Sequence, residues 1–139
     1  MDRSTRLQRL FASAPINAFL GLELVRADAE GSEVRLPVRA DFAQEGAVVH
    51  GGIQTSLADT AAVYALLFSL PPGRSVTGVE LKLNFLRPVT TDGEALVARA
   101  RPVHLGRRLG VVRVALLQAE REVAEGLFTY LVIEEASPS

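Results

Sequence analysis

The chain has no cysteine, which excludes disulfide bridges, thiolate metal sites and cysteine nucleophiles. Histidine is almost as scarce: His50 and His104 are the only two in 139 residues, so a multi-histidine metal centre is not expected. Charge of one sign is also missing. Fifteen basic and 16 acidic side chains leave a net charge of -1, which offers no bulk attraction for nucleic acid or an anionic membrane. The opening segment MDRSTRLQRLFASAP lacks the continuous apolar stretch of a signal peptide. No Walker-type or G-x-G-x-x-G phosphate loop occurs anywhere. What remains is ordinary for a globular protein: 48% hydrophobic, 22% charged, and a length that fits one domain over 1–139.

One segment stands out. From Ile53 to Leu70 the sequence reads IQTSLADTAAVYALLFSL, and Asp59 is its only charged side chain. Apolar residues fall on every side of a helix drawn through it, which predicts a buried helix rather than an amphipathic one. The run approaches membrane-spanning length. A charge near its middle, with Gln54, Thr55, Ser56, Thr60, Tyr64 and Ser69 around it, argues instead for the core helix of a soluble, cytoplasmic protein. A carboxylate inside such a helix loses hydration and costs stability unless it is paired. Acids in such settings gather at functional sites. Just upstream, Gly51-Gly52 leave backbone N–H groups free at the positive end of the helix, an arrangement suited to a developing oxyanion. Together these features suit acyl transfer or hydrolysis.

The rest reads as one α+β domain. Leu7, Leu10 and Phe11 predict a short helix ending before Pro15. Strands are expected over 22–29 and 32–39, the second at an edge because of Pro37. Pro71-Pro72-Gly73 stops the long helix. Four strands follow, about 75–87, 93–104, 109–118 and 122–133, with Val112, Val114 and Leu116 on one face of the third. Their short connections favour an antiparallel sheet. Leu86, Val97, Val111, Leu117 and Phe128 fall off the faces assigned to the core, so the sheet is expected to meet a second copy. The tail from Ala136 to Ser139 is low in complexity.

Three stretches, in this order and spacing, resemble a known family. They are Gln44…His50-Gly51-Gly52…Leu57-Ala58-Asp59, then Val76-Thr77-Gly78-Val79-Glu80…Asn84-Phe85-Leu86-Arg87-Pro88, then His104-Leu105-Gly106-Arg107-Arg108. The chain is similar, over residues 15–133, to hotdog-fold acyl-CoA thioesterases of the PaaI-like branch, which act on phenylacetyl-CoA and 4-hydroxybenzoyl-CoA. The resemblance implies a hotdog fold, an antiparallel sheet wrapped around the long helix. It also implies a homodimer with shared active sites, paired again into a homotetramer, and acyl-CoA as the only small-molecule partner. No metal or redox cofactor is implied; coenzyme A is part of the substrate.

By the same resemblance Asp59 activates water or attacks the thioester carbonyl, Gly51 donates its N–H to the oxyanion, and Gln44 and His50 stand near the thioester. Some relatives carry a hydroxyl residue four positions after the acid, where this chain has Val63. Others carry a serine at or beside Gly78. Thr77, or Thr55 and Ser56 one turn before Asp59, could position the water instead. Arg107 and Arg108, after Gly106, match a turn that lies near the CoA phosphates, and arginine pairs well with phosphate. Arg87 is a second candidate cation, Gly52 would border the substrate, and Tyr64 could line the acyl pocket. Ala58, Ala61, Ala62 and Ala65 either leave room for an acyl group or let the sheet pack close. The alternative reading of the whole is a non-catalytic acyl-CoA sensor.

Overall fold

A computed structural model describes residues 1–136; the tail residues 137–139 lie outside the described part. The chain begins with α1 (Arg3–Ser13) and α2 (Pro15–Leu20). Asp2 caps α1 by accepting from the Thr5 N–H at 2.7 Å, and Leu7 and Phe11, one turn apart, bury its inner face. Pro15 forces Ala14 out of helical geometry, then opens α2 at its first position; sequence periodicity did not expose this second helix. Gly21, at φ 77, ends it in the left-handed conformation.

Strands β1 (Glu23–Asp28) and β2 (Gly31–Leu36) form a hairpin, a 3-10 turn spans Ala40–Phe42, and the long helix α3 runs Gly51–Leu67. Four strands complete the chain: β3 (Arg74–Phe85), β4 (Leu96–Leu105), β5 (Leu109–Gln118) and β6 (Arg121–Glu134). All six strands join one antiparallel sheet in the order β1-β2-β4-β5-β6-β3. The edges are therefore β1 and β3. Pro37 lies one residue beyond β2, an interior strand, so it marks a strand end and not an edge.

The sheet curls around α3. Leu57, Ala58, Ala61, Ala62, Ala65 and Leu66 of the helix are fully buried against Val34, Leu36, Leu96, Ala98, Val112, Val114 and Leu116. The four alanines thus let the sheet approach. Ser32 fastens the two layers, its hydroxyl donating to the Ala61 carbonyl at 2.6 Å. Close packing also fixes Gly126, where a Cβ would sit 1.9 Å from the Lys82 carbonyl oxygen.

Two expectations about facing are corrected. Phe128 points into the core at 1% exposure. A bulge where β6 passes Leu116 and Leu117 makes Val123 and Ala124 both buried and resets the alternation beyond them. Second, α3 is not covered all round. The sheet closes over one side, while Gly52 and Asp59 are exposed and Ser56 and Val63 half-buried along the other. A six-stranded sheet this tightly curled wraps part of a helix's circumference and leaves a stripe. β3 shares that openness. Val79 is 56% exposed, Leu81 46% and Phe85 52%, a concentration of apolar surface at a free strand edge. Among the described residues no helix is long and apolar enough to cross a membrane.

Candidate active site

Two clefts open along β3, one at its C-terminal end and one at its middle. The first is built at the start of α3. The chain enters the helix through Val49 and His50, held by N–H bonds from Val49 to the Val89 carbonyl and from His50 to the Phe42 carbonyl, both 2.8 Å. His50 caps the helix: its Nδ1 accepts from the Gly52 N–H at 2.8 Å. That bond assigns the neutral ring's proton to Nε2 and aims it outward. The His50 carbonyl accepts from Ile53 and Gln54. Among the described residues, the Gly51 N–H meets no acceptor. A free N–H at the positive end of a 17-residue helix is a ready donor to an oxyanion. The Phe85 ring lies over it, and a Cβ at Gly51 would come within 3.1 Å of that ring. Gln44, Gln54, Val48, Leu86 and Arg87 share this cleft of about 420 Å³.

The second cleft, about 310 Å³, lies two turns along the helix and holds Asp59 with Gly78, Leu81, Phe128 and Tyr130. The Tyr130 hydroxyl donates to the Asp59 carboxylate at 2.5 Å. Burial, then the bond and charge of Asp59, push the Tyr130 phenol far above its ordinary value, so it stays a proton donor at any working pH. Asp59 was expected to be buried. In a single copy of the chain it is exposed, on the stripe of α3 the sheet leaves bare.

Several candidates fall elsewhere. Tyr64 points away from Asp59 into the core, edge-on to Phe11 at a centroid distance of 5.1 Å, and burial pushes its phenol up to about 12. The Thr55 and Ser56 hydroxyls do not reach Asp59: they donate to the Gly51 and Gly52 carbonyls of their own helix at 2.8 and 2.9 Å. Thr77 sits opposite exposed Leu131 while Gly78 sits opposite inward-facing Tyr130, so Thr77 presents its hydroxyl to the outer face. Gly106 and Arg107 border a third cleft with Arg74 and Pro72, and exposed Arg108 lies in the same turn. The Arg87 guanidinium donates to the Glu122 carbonyl at 2.9 Å and stays at the surface of the Gly51 cleft. Tyr130 was missed altogether. Its partner lies 71 residues away, and only the FTYLVI run, read as a plain strand, could have drawn attention to it. Among the described residues no acidic, histidine or cysteine cluster is placed to hold a metal ion.

Comparison with known proteins agrees with this architecture. The model of the thioesterase superfamily matches residues 46–125, from the loop before His50 into β6. The provisionally named esterase PA0474 of Pseudomonas aeruginosa is 34% identical over 118 residues, 84% of this chain and 87% of that one. The crystal structure of thioesterase HI1161 from Haemophilus influenzae superposes with a TM-score of 0.85 at 29% identity, covering 96% of this chain and 92% of the other. A mutant of the phenylacetic acid degradation protein PaaI from Thermus thermophilus superposes with a TM-score of 0.77 at 27% identity, over 85% and 98% of the two chains. On the family match, the shared architecture and these likenesses, the chain belongs to the thioesterase superfamily, as a hotdog-fold thioester hydrolase of the PaaI-like kind.

Proposed function

We propose that the chain is an acyl-CoA thioesterase that hydrolyses a small aryl- or medium-chain acyl-CoA to the free acid and CoA, at sites shared between two copies. The observation that carries this reading is the pairing of a free Gly51 N–H with an acid on the same helix that cannot serve the same thioester. Eight residues separate Gly51 from Asp59, about 12 Å along the axis at the ordinary helical rise. A carbonyl oxygen on the N–H and an attacking group on its carbon require about 3 Å each. One chain cannot span that gap; two can. Gly78 borders the Asp59 cleft and Phe85 borders Gly51. If β3 pairs antiparallel with its copy about a dyad at Leu81–Lys82, residue 78 meets residue 85 of the other strand. Asp59 then faces the partner's Gly51 across the joint, and the bare stripe of α3 and the exposed apolar residues of β3 are covered together.

In this arrangement the Gly51 N–H takes the thioester carbonyl, and its hydrogen bond strengthens as charge moves to oxygen. The Gln44 amide borders the same cleft as a further donor, and the outward His50 Nε2–H would be another. Asp59, oriented by Tyr130, takes a proton from water as that water adds to the carbonyl carbon. Alternatively its oxygen adds directly and forms an anhydride that water opens. Collapse of the tetrahedral intermediate expels the CoA thiolate, which takes up a proton. Arg107 and Arg108, with Arg87 of the other copy, would hold the CoA phosphates. The chemistry uses side chains, backbone and water, with no cofactor. The dimers pair again into a tetramer, in the cytoplasm.

The test is steady-state hydrolysis of short, medium, long, phenylacetyl and benzoyl thioesters of CoA, with the released thiol trapped. Asp59→Asn is expected to lower kcat by about 10³-fold, within the range for a lost general base, while circular dichroism stays unchanged. Binding of acyl-CoA without turnover of any substrate would favour the sensor and remove Asp59 from catalysis.

A further inference from the structure

We infer that Gln54 is a positioning residue that keeps the Gly51 N–H open by holding the Val49 carbonyl turned away from it; this rests on the reading of that N–H as the oxyanion donor. Gln54 is 4% exposed, one turn into α3, among the apolar residues that face the sheet. Its Nε2 donates to the Val49 carbonyl at 3.1 Å. Its Oε1 is buried and meets no donor among the described residues. A buried amide with half its capacity unmet costs folding stability, and an apolar side chain of similar volume would avoid the cost. The amide must therefore be weighed by what its one bond does.

That bond ends two residues before Gly51. Among the described residues the Val49 carbonyl has no other donor. A carbonyl and the N–H two residues on can close an inverse γ-turn, with the residue between them near φ -75° and ψ +65°. The residue between them here is His50, at φ -56° and ψ 137°. Its φ already suits the turn, and only a rotation of about 70° in ψ separates the open state from one in which Val49 takes the Gly51 proton. In that closed state the donor is spent on the chain itself. Gln54 opposes it twice. Its side chain pins the Val49 carbonyl in the direction it takes in the open state, and its own N–H holds the His50 carbonyl at 3.3 Å in the helical direction. Gln54 borders the Gly51 cleft, but its side-chain amide is turned to Val49, so its effect is expected on kcat more than on KM.

Gln54→Met removes the amide and nearly keeps the volume. The expected result is a folded protein with a melting temperature near that of the wild type. kcat falls on the order of 10²-fold, the loss that follows a misplaced oxyanion donor, while KM stays within about twofold. In amide exchange followed by NMR, the Gly51 N–H, fast in the wild type, becomes protected in the variant. Unchanged kcat with an unchanged Gly51 amide would overturn the inference. So would a fall in kcat that tracks a fall in melting temperature with the Gly51 amide still exposed, because that is plain loss of packing. If the wild type hydrolyses no acyl-CoA, the thioesterase reading fails separately, and the exchange comparison still decides what Gln54 does to Gly51.

Discussion

The two clefts along β3 carry opposite kinds of chemical group. At the Gly51 end the chain is immobilised by its own hydrogen bonds: the backbone polar groups of Val49 and His50 are engaged, and the Gly51 N–H is left over. At the Asp59 end a single side chain stands on an uncovered helix face, steadied by one phenol from a strand far along the sequence. The first end offers a fixed backbone dipole, which can stabilise charge without reorganising. The second offers a titratable oxygen, which can move a proton or make a bond. A hydrolase needs one of each within a few ångströms of a single carbon. The fold separates them within the chain and leaves both beside the same open edge.

The sharpest way to break this division is to disable each end on a separate chain. Gly51→Ala is expected to lower kcat by about 10²- to 10³-fold, since the added methyl presses on the Phe85 ring and displaces the donor. Co-expressed with Asp59→Asn, it should recover about a quarter of wild-type activity, because half the dimers are mixed and each carries one intact site of two. Recovery of nothing above the two separate variants would place both groups in one chain and end the shared-site reading. A smaller effect is expected from Tyr130→Phe. It removes one hydrogen bond to a charged oxygen, worth roughly 1.5–3 kcal/mol, and should lower kcat about 10- to 100-fold with little change in KM.

The smallest effect contrasts Tyr130 with the other buried phenol and touches stability alone. Burial raises the Tyr64 phenol from 10.0 to about 12 in the folded chain. The neutral phenol is favoured by folding, so its contribution is complete below pH 10 and is lost as pH climbs from 10 to about 12. Denaturation midpoints measured across that window should fall, and Tyr64→Phe should flatten the fall. The Tyr130 phenol titrates in the same sense, so the fall should persist in part.

Features carried by local pattern were legible from the residues. The alternation of Val112, Val114 and Leu116 located β5, the long run with one charged residue located α3, and the glycines before it marked its start. Features settled by the whole sheet were not. Which side of α3 stays bare depends on how many strands wrap it and in what order. Nothing within Ile53–Leu70 encodes that, so Asp59 read as buried. Phe128 was misfaced because a bulge shifts the alternation by one residue, and a bulge without a glycine leaves no mark in the pattern. Tyr130 and Gln54 escaped notice for a related reason. A tyrosine in a strand and a glutamine in a helix are ordinary until the fold brings each to the carboxylate or carbonyl it meets.

The bare edge of β3 carries a consequence for how the activity depends on dose. On the shared-site reading, a chain whose donor and acid lie too far apart to share a carbon would be inert on its own, however well it folds. Turnover per chain then follows the fraction of chains in pairs, which rises with concentration until pairing saturates. Dilution would silence the protein without unfolding it, and newly made chains would stay silent until they met a second copy.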